Sequence, residues 1–210
     1  KPYLVNEDQI ARDGALDHYD ALYVLDPYVS ETAQAKIEAF VKNGGLLWTQ
    51  ADAFTKNEYN EPSDFLQRAF GLTRTFADPV QDKDPRNWTM TPAAGETAIH
   101  KETVPASGVD KVTWDGAKVR ASFGDGRSAW LEKTVGKGKV VYVAFRGGHN
   151  YGAHAVRPPG IHDVWSDIAR EPLVLPLKER KVDRELTVDQ PGIMASPLTN
   201  ENGTVIVLYN

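Results

Sequence analysis

Three histidines within fourteen residues, His149, His154 and His162, with Tyr151, Arg157 and Asp163 beside them, form the densest group of chemistry-bearing side chains in the sequence. Such a group could ligate a metal, or hold an anion or a sugar against the amides of the Arg146–Gly152 loop. The spacings of five and eight residues match no compact zinc motif, and no glutamate stands between two histidines as a general base. We therefore expect no metal and no cofactor. Ser30, Ser63, Ser122, Ser128 and Ser166 are the serines weighed as nucleophiles, and none sits in the Gly-x-Ser-x-Gly elbow that exposes a reactive hydroxyl. Ser30 reads instead as a helix cap. The chain has no cysteine, which excludes disulfides, thiolate metal sites and every thiolate nucleophile. Trp48, Trp88, Trp114, Trp130 and Trp165 could offer flat faces to a pyranose ring or a subunit interface. Trp48 and Trp130 lie inside strand runs and read as core, so Trp88 is the best candidate for exposure. The resulting expectation is a ligand-binding set of Arg146, His149, Tyr151 and Trp88, with no residue assigned to catalysis.

The elements that must position these residues are clearest near the start. Ala21-Leu22-Tyr23-Val24-Leu25 is a continuous apolar run, the pattern of a parallel strand buried on both faces. Asp26-Pro27 breaks it, Ser30 caps a helix with apolar positions at Ala33, Ile37, Phe40 and Val41, and Gly44-Gly45 stops that helix before Leu46-Leu47-Trp48. A strand, helix and strand in this order predict a right-handed parallel crossover, hence an α/β sheet flanked by helices. Asp26 and Asp52, each after a parallel strand, are expected to be a turn residue and a helix cap. Pro62 to Phe70 predicts a further helix with Gly71 as its stop. Residues 73–122, rich in prolines and turn signals, read as an irregular insertion with short strands. Two hairpins follow, turning at Gly124-Asp125-Gly126 and Gly136-Lys137-Gly138, and feed a last core strand, Val140 to Phe145. The Arg146–Gly152 loop then lies at a strand's carboxyl end, where open α/β sheets bind ligands. Ile161 to Ala169 predicts a short helix. Leu173–Leu175, Glu185–Val188, Ile193–Ser196 and Val205–Tyr209 read as β, with a hairpin turn at Asn202-Gly203.

With 210 residues the chain is long enough to bury a full core. The expected organisation is one α/β domain over 1–172, with the insertion at about 73–122, and a β-rich segment over 173–210. The net charge of −5 is modest and the basic residues are dispersed, so neither nucleic acid nor a membrane surface is an expected partner. Lys1 at the start and a strand at the end lead us to expect a segment of a longer polypeptide.

The run His18-Tyr19-Asp20-Ala21-Leu22-Tyr23-Val24-Leu25-Asp26, the Ser30 helix and Phe40-Val41-Lys42-Asn43-Gly44-Gly45-Leu46-Leu47 resemble the β-galactosidase trimerisation domain, a member of the class I glutamine-amidotransferase-like, flavodoxin-like superfamily. Gly124 to Phe145 is similar to that domain's late hairpin and last core strand, and residues from Gln190 on to the start of the small β domain that follows it. Amidotransferases proper need a cysteine on a sharp strand-to-helix turn, and its absence here excludes their chemistry. The resemblance implies a non-catalytic accessory and oligomerisation domain of a glycoside hydrolase. Its partners would be the remainder of the parent polypeptide, a catalytic barrel, and further copies of itself; carbohydrate binding through the Arg146 loop is the alternative. Paired carboxylates such as Asp26 and Asp52 could in principle cleave a glycosidic bond. In the resembled proteins that chemistry belongs to the separate barrel.

Overall fold

The computed structural model describes residues 4–76, 87–105, 109–148, 167–182, 194–201 and 203–209. Its first parallel crossover is the one expected. After a short helix α1 (Glu7–Ala11), strand β1 (Ala21–Val24) leads to helix α2 (Glu31–Lys42) and strand β2 (Leu46–Gln50). Ser30 caps α2, its Oγ accepting from the Ala33 amide at 3.4 Å. Two further orphan amides of that terminus are met from a distance, Ser30 N–H by the Glu7 carboxylate at 2.6 Å and Glu31 N–H by Glu58 at 2.9 Å. Gly45 and Gly138 let the helix end approach the sheet. A Cβ on Gly138 would stand 2.1 Å from the Val41 carbonyl oxygen and 2.3 Å from that of Gly45.

The main sheet also contains β4 (Asn87–Pro92), β5 (Glu102–Pro105), β7 (Lys118–Phe123), β8 (Ser128–Val135) and β9 (Gly138–Val143). Its seven strands run in the order β1-β2-β9-β8-β7-β4-β5. Pairing is parallel across β1, β2 and β9 and antiparallel from β9 outward, so the sheet is mixed. The two expected hairpins, β7–β8 and β8–β9, carry the chain back to the parallel part. Short strands of the 73–122 stretch extend the same sheet at its antiparallel end. Two others, β3 (Leu72–Phe76) and β6 (Asp110–Trp114), pair antiparallel as a separate ribbon. Helix α3 (Phe65–Phe70) precedes β3 and stops at Gly71, whose φ of 76° is the left-handed stop expected from the sequence.

Strand alternation places Leu22, Leu47 and Val140 on one face and Tyr23, Trp48 and Val141 on the other. Tyr23 and Trp48 stack at 5.3 Å. Against them lies helix α4 (Asp167–Glu179), which contains Pro172 and Pro176. The expectation of a strand at Leu173–Leu175 is therefore corrected: those residues are helical. The two prolines lie one turn apart and both are buried. Pro176 has no N–H to give the Pro172 carbonyl, and the Trp48 indole N–H takes that place at 2.7 Å. The Tyr23 hydroxyl donates to the next carbonyl, that of Leu173, at 2.5 Å. Burial of this hydroxyl pushes its pKa above the ordinary phenol value, which keeps it a donor.

Strands β10 (Met194–Asn200) and β11 (Gly203–Tyr209) form the expected antiparallel hairpin. The expected strand at Glu185–Val188 and the first part of the helix expected over 161–169 lie outside the described residues.

Candidate functional site

The carboxyl ends of β1, β2 and β9 define the edge at which an open α/β sheet would present a site. Asp26 follows β1 and is a turn residue as expected, its Oδ1 accepting from the Tyr28 amide at 2.8 Å. Asp52 follows β2, and here the expected helix cap is corrected. Asp52 has φ 76° and Phe54 φ 56°, two left-handed non-glycine residues in a sharp turn that no helix continues. The Asp52 carboxylate is ion-paired with the Arg146 guanidinium, which follows β9. Next to it Gly148 N–H donates to Gln50 Oε1 at 2.8 Å, so the start of the loop after β9 is tied to the end of β2. A strained turn after a central strand is where a nucleophile would sit. The residue here is a carboxylate neutralised by an arginine.

Of the four expected ligand-binding residues, Arg146 is thus at the carboxyl edge and engaged with Asp52. Trp88 lies in β4, paired with Val104 of β5, within the antiparallel end of the sheet. Strands β8 and β7 lie between β9, which leads to Arg146, and β4, which carries Trp88, so strand order does not bring the two side by side. His149 and Tyr151 lie outside the described residues, as do His154, Arg157, His162 and Asp163. Trp48 and Trp130 are core, as expected. Among the described residues no group of three His, Cys, Asp or Glu is placed to hold a metal ion. No described helix is long and apolar enough to cross a membrane. A shallow open depression lined by Ile10, Leu16 and Tyr19 lies at α1 and carries no catalytic grouping.

Two polar clusters were not anticipated. In the first, the Tyr142 hydroxyl on β9 donates to Asp110 Oδ2 on β6, and Arg74 Nη1 on β3 lies 3.3 Å from that hydroxyl. Asp110 is fully buried, and its Oδ1 has no partner among the described residues. Burial raises its pKa to about 6; the Tyr142 hydrogen bond and the Arg74 charge only partly offset it. Tyr142 is itself raised by burial and by the Asp110 charge. A carboxyl so placed could hold a proton near neutral pH, but it faces a tyrosine between the ribbon and the sheet. In the second, Arg120 on β7 is buried among Glu96 (2.7 Å), Glu179 (2.8 Å) and Glu132 (3.5 Å), and lies over the Trp130 ring. The Arg120 and Lys118 hydrogen bonds hold Glu96 below the usual carboxylate range. This cluster ties β7, β8 and the turn after β4 to the end of α4. Asp110 and Arg120 each stand within alternating strand residues, and nothing local in the sequence distinguishes them from solvent-facing charges.

Comparison with known proteins gives the same architecture a family. The chain is similar to the β-galactosidase from Rahnella sp. R3, with a TM-score of 0.73 at 21% identity over 94% of this chain and 28% of that one. It is similar also to the β-galactosidase from Bacillus circulans sp. alkalophilus, with a TM-score of 0.69 at 16% identity over 91% and 27% of the two chains. A catalytic mutant of Gan42B, a GH42 β-galactosidase from G. stearothermophilus, gives 0.63 at 17% identity over 85% and 24%. At these identities the likeness shows the fold, and this chain spans 24–28% of the length of those proteins. No curated protein matches the chain. The β-galactosidase trimerisation domain family matches residues 4–159, and across most of its length the chain belongs to that family.

Proposed function

We propose that the chain is a non-catalytic accessory domain of a β-galactosidase-like glycoside hydrolase and that it acts by assembling copies of that enzyme. Membership of the trimerisation family is the observation that carries this reading. The carboxyl edge supports it, because both carboxylates there have structural roles, Asp26 holding a turn amide and Asp52 pairing with Arg146. We also propose that the β10–β11 hairpin opens a second, β-rich unit within 173–210. Carbohydrate binding by the loop after β9, through Arg146, His149 and Tyr151 and with Trp88 of β4 standing apart from it, is a separate proposal, tested by calorimetric titration of galactose into the wild type and an Arg146→Ala variant.

The principal reading is tested in the full polypeptide with a chromogenic β-galactoside. Asp26→Asn and Asp52→Asn should each leave kcat at the wild-type level. Abolition of turnover by either, with assembly intact, would assign chemistry to this chain and overturn the non-catalytic reading.

A further inference from the structure

A ring of three identical chains cannot be built from one patch that meets itself. Isologous contacts close as dimers, whereas a three-fold ring needs two different, mutually complementary surfaces on every chain. Opposite ends of the parallel strands carry two surfaces of that kind.

The first is the carboxyl edge. Its loops are zipped together: Val29 N–H donates to the Lys56 carbonyl at 3.0 Å, Lys56 N–H to that of Pro27 at 2.9 Å, and Phe54 N–H to that of Asp26 at 3.1 Å. Asn57 is buried, and its side chain organises the turn beyond. Its Oδ1 accepts from the Tyr59 and Glu61 amides at 3.0 Å each, and its amide group donates to Glu61 at 3.1 Å. This rigid frame holds aromatic side chains out in solvent, Tyr59 at 74% exposure and Tyr28 at 49%, with Leu25 at 41%. Around them stand exposed Asp26, Glu31, Glu58, Glu61 and Asp64, with Lys56 over the Tyr28 ring and Arg68 paired with Asp64. Exposed tyrosines on a pre-ordered frame lose little entropy on being covered, which is what binding hot spots require. The acidic border calls for a basic partner.

The second surface is the amino end of the same strands. Lys137 N–H donates to the Lys42 carbonyl at 3.0 Å, and Arg180 donates to the carbonyl of Gly44. Lys178 and Lys181 flank Arg180 at the end of α4, and all five cations are exposed. Of the acids at this end, Glu38 is paired with Lys42 and Glu179 with Arg120, and Asp20 stands before β1. The end is basic where the other is acidic.

Resting on the assembly reading, we propose that the acidic, tyrosine-bearing carboxyl edge of one chain docks on the basic amino end of a second copy, and that this head-to-tail contact, repeated, closes the ring. The test uses the full polypeptide and light scattering. The wild type should have a three-chain mass. Tyr59→Lys spoils only the edge, and Lys137→Glu with Lys181→Glu spoils only the basic end; all three positions are solvent-facing, and unchanged circular dichroism confirms folding. Each variant alone should fall to a one-chain mass. Mixed in equal amounts they should form a two-chain species, because one intact edge still meets one intact basic end and the ring cannot close. Retention of the three-chain mass by either variant, or a mixture that stays at one chain, overturns the proposed surfaces while leaving assembly standing. A wild type of one-chain mass contradicts the assembly reading itself, and this proposal with it.

Discussion

Replacing Asp110 by asparagine should remove a specific pH dependence of stability. Asp110 is fully buried between the β3–β6 ribbon and the main sheet, and burial lifts its pKa from 3.8 to about 6. Between those values the folded chain holds a proton that the unfolded chain has released. Folding stability therefore falls as pH rises through that window and levels off above it. At ~1.4 kcal/mol per pH unit the whole gap is ~3 kcal/mol, of which ~2 kcal/mol falls between pH 4 and pH 7 because the unfolded carboxyl is already half ionised at pH 4. The asparagine side chain of the Asp110→Asn variant would keep an oxygen for the Tyr142 hydroxyl but has no proton to lose. Urea denaturation of both proteins at intervals from pH 4 to 7.5 gives the measurement, and subtracting one curve from the other cancels groups common to both. Glu96 is such a group, with its lowered pKa losing stability as pH falls. The absolute offset reports how the asparagine amide is accommodated, but the slope belongs to Asp110. The stability of Asp110→Asn relative to wild type should rise by ~2 kcal/mol between pH 4 and pH 7. Parallel curves across that range would refute the assignment of a raised pKa and the burial argument beneath it.

Arg120→Met should destabilise the fold by about 1–3 kcal/mol in urea titrations, because Glu132 and Glu96 lose their shared guanidinium and keep only Lys139 and Lys118. Gly138→Ala puts a Cβ 2.1 Å from the Val41 carbonyl oxygen, backbone that cannot rotate away, and should cost about 2 kcal/mol by thermal or chemical melting. Trp48→Phe leaves the Pro172 carbonyl without its indole donor and should lower stability by about 1–3 kcal/mol, with faster amide exchange concentrated in α4. Tyr59→Ala, at an exposed turn position, should leave the stability of the chain in urea unchanged within about 0.5 kcal/mol.

The first crossover was legible because each of its signals is local. A continuous apolar run, a serine cap and a glycine pair follow one another closely along the chain, and the structure keeps all three. The late hairpins were legible for the same reason, each carrying its own glycine turn. The helix over 167–179 was not, because its prolines argue locally for a break and are made tolerable only by donors from Trp48 and Tyr23, far away in sequence. The carboxyl edge was placed correctly from Arg146 and the parallel strands, but its pairing with Asp52 joins residues 94 apart in sequence. Asp110, Tyr142 and Arg74 come from three strands, and Arg120 draws its carboxylates from three separate elements. Burial of such charges follows from register and layer packing, which no residue pattern along one strand encodes.

The mass of the full polypeptide in solution tests the assembly role most directly. Light scattering across a dilution series should return the mass of three chains, and removal of residues 4–182, which takes α4 out together with the sheet it packs on, should reduce it to that of one. A single-chain mass for the intact protein at every concentration would contradict the account.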